Sequence, residues 1–324
     1  MSQDRASGSV ALVLGSGGVL GGAFHAGVVK ALLDTRGIDA RGVDVIVGTS
    51  AGALSAVLLG AGLQPDDLYR RETGQQLSPE GQRLFGDVRA RLGPHTPHRS
   101  SFGPPFAPML PIRAVLEPGS VAPGTVAASL LPRGVVPADR LRDLVDALTF
   151  PGRRGSSSWA WPGRPFLQVC AVDMTTGRRQ VFDGAGEETI GAAVAASCAV
   201  PGVVAPVRIG ERDYLDGGVH SADNVDVLAG RSFDQVIISS PLSTERIHDV
   251  SSPWHGVRVL TRWQTDADVR RLDAGAAVEV LRPTARDLYA MGPDMLDGRR
   301  RAAVALQAYT SAAAALSEAC PAMA

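Results

Sequence analysis

The apolar residues of this chain recur with two spacings, and the two alternate. Val10-Ala11-Leu12-Val13-Leu14 and Val43 to Val47 are short, β-branched-rich runs of the kind that form strands buried on both faces. Each runs into a glycine- and serine-rich turn and then into helical spacing. Gly15 to Gly22 is expected to be a loop before a helix over Ala23 to Asp34, with Val28, Leu32 and Leu33 on one side. Gly48 to Gly52 is expected to be a turn before a helix over Ala53 to Leu63. Further strands are expected at Pro165 to Val172, Arg179 to Phe182, Val207 to Ile209, Arg212 to Leu215, Phe233 to Ser239 and Ala277 to Leu281. Strands that alternate with helices predict an α/β fold with a mainly parallel sheet.

Two segments break the alternation. Phe85 to Pro137 is Pro-rich and without clear period, and it carries Phe102, Phe106, Met109, Leu110 and Ile112. It is too long for an ordinary connection, which predicts an insertion or cap. After Leu281 the pattern turns helical, with a long terminal helix expected from Met295 to Leu316. The organisation expected over residues 1–324 is one domain, with its core at about 8–84 and 164–282, an insertion or cap at 85–163 and a helical segment at 283–324.

Charge sharpens this picture. Lys and Arg number 32 against 33 Asp and Glu, which excludes a basic nucleic-acid binder and a charge-driven disordered chain. Glycine is abundant, at 37 of 324 residues, and three long stretches contain no Asp, Glu, Lys or Arg. They are Ala6 to Val29, Val45 to Pro65 and Thr189 to Val207, of 24, 21 and 19 residues. Their lengths raise the question of a membrane span, but Gly, Ser, Thr and Pro interrupt each one where a spanning helix would carry Leu and Ile. Met1-Ser2-Gln3-Asp4-Arg5 lacks the net positive charge of a secretory leader, so a cytoplasmic location is expected. Cys170, Cys198 and Cys320 have no metal-ligand or C-x-x-C spacing and are expected to be reduced, and no metal or cofactor is expected.

The uncharged stretches also hold the candidate chemistry. Gly48-Thr49-Ser50-Ala51-Gly52 has the G-x-S-x-G pattern between an expected strand and an expected helix. In that setting a serine on a sharp turn projects its hydroxyl above the sheet, toward the positive end of the following helix. A plain helix N-cap at Ser50 is the competing reading. Gly15-Ser16-Gly17-Gly18-Val19-Leu20-Gly21 fits a dinucleotide fingerprint poorly, because no alignment supplies all three glycines and Asp44 opens the second strand instead of ending it. Consecutive glycines beside a serine turn can instead direct peptide N–H groups at a tetrahedral oxyanion. None of His25, His95, His98, His220, His248 and His255 lies in a signature context, although His248 or His255 could complete a Ser–Asp–His triad. Asp216 at an expected strand end, followed by Gly217 and Gly218, is the stronger candidate base, with an ordinary Asp-Gly turn as its competing reading.

Together these residues resemble the patatin-like phospholipase family of bacterial type. The glycine loop of Gly15, Ser16, Gly17, Gly18 and Gly21, the elbow of Gly48, Ser50 and Gly52, and Asp216-Gly217-Gly218 stand in the family's order. Val169 to Gly177 and Ala196 to Gly202 also look like the family, and the resemblance covers about Val10 to Leu228. It implies a three-layer α/β/α fold and a lipid acyl hydrolase working through a Ser–Asp dyad, with Ser50 as nucleophile and Asp216 as base. The backbone N–H groups of Gly17, Gly18 and Ala51 would form the oxyanion hole. Two departures stand out. Ser16 replaces the first glycine of the usual loop, tolerable if its φ stays negative, and Leu20 replaces a basic residue, which takes a cation from the expected mouth of the site.

An aspartate base needs surroundings apolar enough to raise its pKa, which the uncharged run upstream of Asp216 supports weakly. The expected substrate is a lipid or acyl ester met at a membrane surface or micelle, with peripheral membrane contact and no nucleic-acid partner. The Pro-rich insertion would either line that site or cap a core edge. A Ser–His–Asp esterase or acyltransferase and a non-catalytic lipid-binding member of the same fold remain as alternatives.

Overall fold

The computed structural model describes residues 8–92, 103–105, 107, 109–149, 161–246, 253–272 and 274–318. The first half runs β1 (Val10–Leu14), α1 (Gly18–Arg36), β2 (Val45–Thr49), α2 (Ala51–Gly60), α3 (Pro65–Thr73) and α4 (Pro79–Arg91). It continues through β3 (Gly103–Pro105), α5 (Leu110–Leu116), α6 (Pro123–Ser129), β4 (Pro132–Arg133) and α7 (Asp139–Thr149). The second half holds β5 (Phe166–Asp173), β6 (Arg179–Phe182), α8 (Ile190–Ser197), β7 (Val207–Ile209) and β8 (Arg212–Asp216). It ends with β9 (Gln235–Ser239), α9 (His255–Val269), β10 (Ala277–Leu281), α10 (Ala285–Met291) and α11 (Arg301–Glu318).

The main sheet has the order β10-β9-β1-β2-β5-β8-β7, with β6 also paired to β5. From β10 to β5 every pairing is parallel, and β5–β8, β7–β8 and β5–β6 are antiparallel. Strand alternation sorts the core into two faces. Leu12, Leu14, Ile46 and Ile237 pack with α1, α2 and α11, while Ala11, Val13, Val45, Val47, Val236 and Ile238 pack with Val225, Leu228 and Phe233. The expected α/β architecture with a mainly parallel sheet is present.

Some element boundaries differ from those expected. The first helix begins at Gly18, not at Ala23, so the loop after β1 is only Gly15 to Gly17. Gly18, Gly21 and Gly22 at the start of α1 permit close packing, which outweighs their weak helical signal. Leu20 is consequently inside α1 and fully buried in the core, so its position is not at the mouth of the site. The terminal helix starts at Arg301 and not at Met295, after a turn that Asp297 caps by accepting from the Arg299 N–H.

The Pro-rich segment is more regular than its sequence suggests, containing α5, α6 and the β3–β4 pair. Leu110 is buried with Ala107, Ala128, Met174 and Leu215, so that residue caps a core edge. Met109, Ile112, Val115 and Leu116 are exposed, while His95, His98, Ser101, Phe102, Phe106, His248 and Cys320 lie outside the described residues. Among the described residues no helix is long and apolar enough to cross a membrane.

Candidate active site

Strand β5 brings the two halves of the site together. It pairs with β2 as far as Thr49↔Cys170 and with β8 from Ala171↔Asp216. Consecutive residues of one strand thus fix the end of β2, just before Ser50, and the end of β8 at Asp216.

Ser50 has φ 53 and ψ −118, one of two non-glycine residues with positive φ among the described residues. A serine in that region is strained and needs its surroundings to hold it there. Gly52 is part of that support, because a Cβ on it would fall 1.9 Å from the Leu14 carbonyl oxygen. The Ser50 N–H donates to Ser197 Oγ at 2.8 Å, and Ser197 Oγ donates to the Cys170 carbonyl at 2.6 Å. Although Ser50 stands at the N-cap position of α2, its side chain caps nothing there. Its hydroxyl instead lies close enough to Asp216 and to the Cys198 thiol to lower the pKa of each.

Asp216 is buried, and desolvation pushes its carboxyl up to about 6 against the opposing influence of the nearby Ser50 hydroxyl and the Gly218 N–H. The Gly218 N–H donates to Oδ1 at 2.7 Å, so the Asp-Gly-Gly turn orients the carboxylate as well as reversing the chain. The charges just before Asp216 are paired with one another or with the neighbouring strand: Arg208 with Asp213, and Arg212 with Asp173.

The glycine loop lies alongside. Gly18 opens α1 at φ 59, and a Cβ there would stand 3.0 Å from the Met295 carbonyl oxygen, so both the backbone and the space favour glycine. The first N–H groups of α1 and α2 have no partner within their helices, and Gly18 and Ala51 both line the cavity beside Ser50. Ser16 has no positive φ, as its tolerance requires, and its buried Oγ finds no partner among the described residues. It stands beside Gly218, where a Cβ would fall 2.7 Å from that oxygen.

Several supporting residues escaped the sequence reading. His25 is buried, with Nε2 2.7 Å from the Gly15 carbonyl and Nδ1 2.8 Å from Ser239 Oγ. A carbonyl only accepts, so Nε2 carries the proton and Nδ1 accepts from the serine. Burial lowers this imidazole to about 4, which keeps it neutral. Asn224, at φ 52, donates from Nδ2 to Thr49 Oγ1 at 3.0 Å and to the Ser221 carbonyl at 2.6 Å, tying the elbow to the loop after Asp216. Arg258 is buried and donates to the carbonyls of Pro241 and Ser243, and Pro241 packs against Gly17. Only Ser197 carried a sequence signal, through the Ala196 to Gly202 segment. No described hydrogen bond joins His255 to Ser50 or Asp216.

The cavity beside Ser50 has a volume of about 330 Å³ and runs along α2 past Leu54 and Leu58. No described residue of 85–163 lines it. The described part of the insertion acts at one remove, since Val135 and Val136 both donate to the Val203 carbonyl, and Val203 and Val204 are lining residues. Among the described residues no cluster of three or more metal-ligating side chains occurs.

The model of the patatin-like phospholipase family matches residues 12–229. The chain belongs to that family. Patatin-like lipases act on lipid substrates, and membership supports lipid hydrolase activity in general. Similar solved structures include VipD from Legionella pneumophila, at 13% identity and a TM-score of 0.46, over 98% of this chain and 69% of that one. The type III effector ExoU is 18% identical with a TM-score of 0.41, over 96% of this chain and 53% of that one. The ExoU–SpcU complex of Pseudomonas aeruginosa matches at 18% identity and a TM-score of 0.38, over 95% of this chain and 52% of that one. The patatin-like chain described here therefore spans about half the length of the ExoU chains.

Proposed function

We propose that this chain is a carboxylic ester hydrolase of the lipid acyl hydrolase type, working through a Ser50–Asp216 dyad and an acyl-enzyme. The observation that carries the reading is the strained Ser50 with its hydroxyl beside a buried aspartate. Asp216 takes the proton of Ser50 Oγ as that oxygen attacks the ester carbonyl carbon. The carbonyl oxygen becomes an oxyanion held by the N–H groups of Gly17, Gly18 and Ala51. The C–O bond to the alcohol then breaks, and the proton on Asp216 passes to the departing alkoxide. Water adds to the acyl-enzyme with Asp216 again as base, the bond to Ser50 Oγ breaks and the serine regains its proton. His25 contributes by holding the Gly15 carbonyl, not by moving a proton.

Peripheral contact with a lipid surface is supported by the exposed apolar side chains of Ile112, Val115 and Leu116 on α5. The test is labelling by an alkyl fluorophosphonate. Wild-type protein should react and lose its esterase activity, while Ser50→Ala should not react. Equal labelling of the two, or none of either, would overturn the proposal.

A further inference from the structure

The cavity beside Ser50 is walled mainly by apolar groups, but three charged residues also line it: Arg71 and Glu72 of α3 and Arg301 of α11. Arg301 grips Glu72 as a two-pronged fork, Nε to Oε2 at 2.6 Å and Nη2 to Oε1 at 2.8 Å. Such a pair is geometrically well matched, and it uses up the carboxylate's charge on one guanidinium. Arg71 reaches the same carboxylate by a single contact, Nη1 to Oε1 at 3.2 Å. Its guanidinium also lies 5.5 Å from the centre of the Phe85 ring, whose face attracts a cation but supplies no counter-charge. Among the described lining residues, two cations therefore face one anion.

That surplus is set in a partly desolvated wall. Burial lowers the pKa of Arg71, Glu72 opposes the shift, and the neighbouring Arg301 lowers it further. An arginine so placed stays protonated and is stabilised by any anion that enters the cavity. The position of the family's usual basic residue cannot serve here, since Leu20 is sealed in the core.

Resting on the reading of Ser50 as an ester-cleaving nucleophile, we propose that this cavity selects an acyl ester bearing an anionic oxygen group, a phosphate or a second carboxylate, and that Arg71, backed by Arg301, is the residue that recognises it. Arg71 has donors to spare for such a group, whereas an uncharged ester would leave its charge uncompensated. Glu72 sets the strength of the selection, because it already cancels one of the two cations.

The test reads binding, so it does not depend on turnover. Decyl phosphate, decanoate and decanol are titrated calorimetrically into Ser50→Ala protein and into its Arg71→Met, Arg71→Lys and Glu72→Gln derivatives. At least one anionic probe should bind about tenfold or more tightly than decanol, the scale of one charge-assisted contact. Arg71→Met should remove that margin with little change in decanol affinity, and Arg71→Lys should restore part of it. Glu72→Gln should widen the margin, a gain that a damaged fold would not produce. Tighter binding of decyl phosphate than of decanoate identifies a phosphate-bearing substrate, and the reverse order a dicarboxylate-type one. Equal affinity for all three probes, or a margin that survives Arg71→Met, would overturn the proposal. Failure of the fluorophosphonate to label wild-type protein would overturn the hydrolase reading and leave this measurement interpretable.

Discussion

The hydroxyl of Ser197 accepts the backbone N–H of Ser50 at 2.8 Å while donating to the carbonyl of Cys170 at 2.6 Å. One side chain from the end of α8 therefore holds the strained residue against the strand that also pairs with Asp216. Ser197→Ala should leave two buried backbone groups unpaired, costing roughly 1–3 kcal/mol each. A clear fall in melting temperature is expected, with kcat for a soluble ester reduced about tenfold or more as the elbow relaxes. Unchanged melting and unchanged kcat would show that the bridge does not hold Ser50.

If Asp216 is the base, its raised carboxyl should set the acid limb of the rate profile. A base must be ionised to accept a proton, and this one titrates at about 6. kcat/KM for a soluble ester should therefore rise with pH through about 6 and level off above it. A limb near 4, the ordinary aspartate range, would mean that the buried group is not the base.

The same shift carries a cost in stability. A folded pKa of about 6, above the ordinary aspartate value near 4, means that burial favours the protonated form. Its contribution to stability is full below about 4 and is lost as pH rises through about 6, a change of roughly 3 kcal/mol across that window. Asparagine keeps an acceptor for the Gly218 N–H and cannot ionise. Asp216→Asn should thus be inactive yet melt higher than wild type at pH 8, with the advantage shrinking toward pH 4. Chemical denaturation at both pH values checks it.

His25 should remain neutral with its proton on Nε2 down to about pH 4, because burial lowers its pKa to about that value. A depressed histidine pKa gives stability that is present above about 6.5 and lost as pH falls through about 4. Nitrogen-15 spectra of the imidazole rings, recorded through an acid titration, report both the tautomer and the midpoint. A midpoint near 6.5 would contradict the burial described for this ring.

Val115 and Leu116 are 78% and 76% exposed on α5. If they meet a lipid surface, Val115→Glu and Leu116→Glu should reduce hydrolysis of vesicle-bound substrate several-fold and leave a soluble short-chain ester unaffected. Parallel assays on phosphatidylcholine vesicles and on p-nitrophenyl butyrate separate the two. Equal losses on both substrates would point to damage at the site, not to lost surface contact.

Much of this site was legible in the sequence because its local signals are strong. The runs Val10 to Leu14 and Ala277 to Leu281 became strands at the expected bounds, since a β-branched run between turn residues has few alternatives. Gly48, Ser50 and Gly52 marked the elbow, and Asp216 with Gly217 and Gly218 marked the facing turn. The start of α1 was missed because Gly18, Gly21 and Gly22 disfavour a helix locally, and close packing outweighs that preference.

What the sequence determined by itself was the alternation of strands and helices and the residue types at each turn, because these depend on neighbours a few positions apart. Only the tertiary structure decided that Leu20 points into the core, that Ser197 and Asn224 brace the elbow, and that Arg71 and Arg301 share Glu72 beside Ser50. The contacts of Ser197 with Cys170, Asn224 with Thr49 and Arg301 with Glu72 join residues 27, 175 and 229 positions apart. Which side chains meet at such separations is set by how the helices pack on the sheet, and no local pattern of residues encodes it.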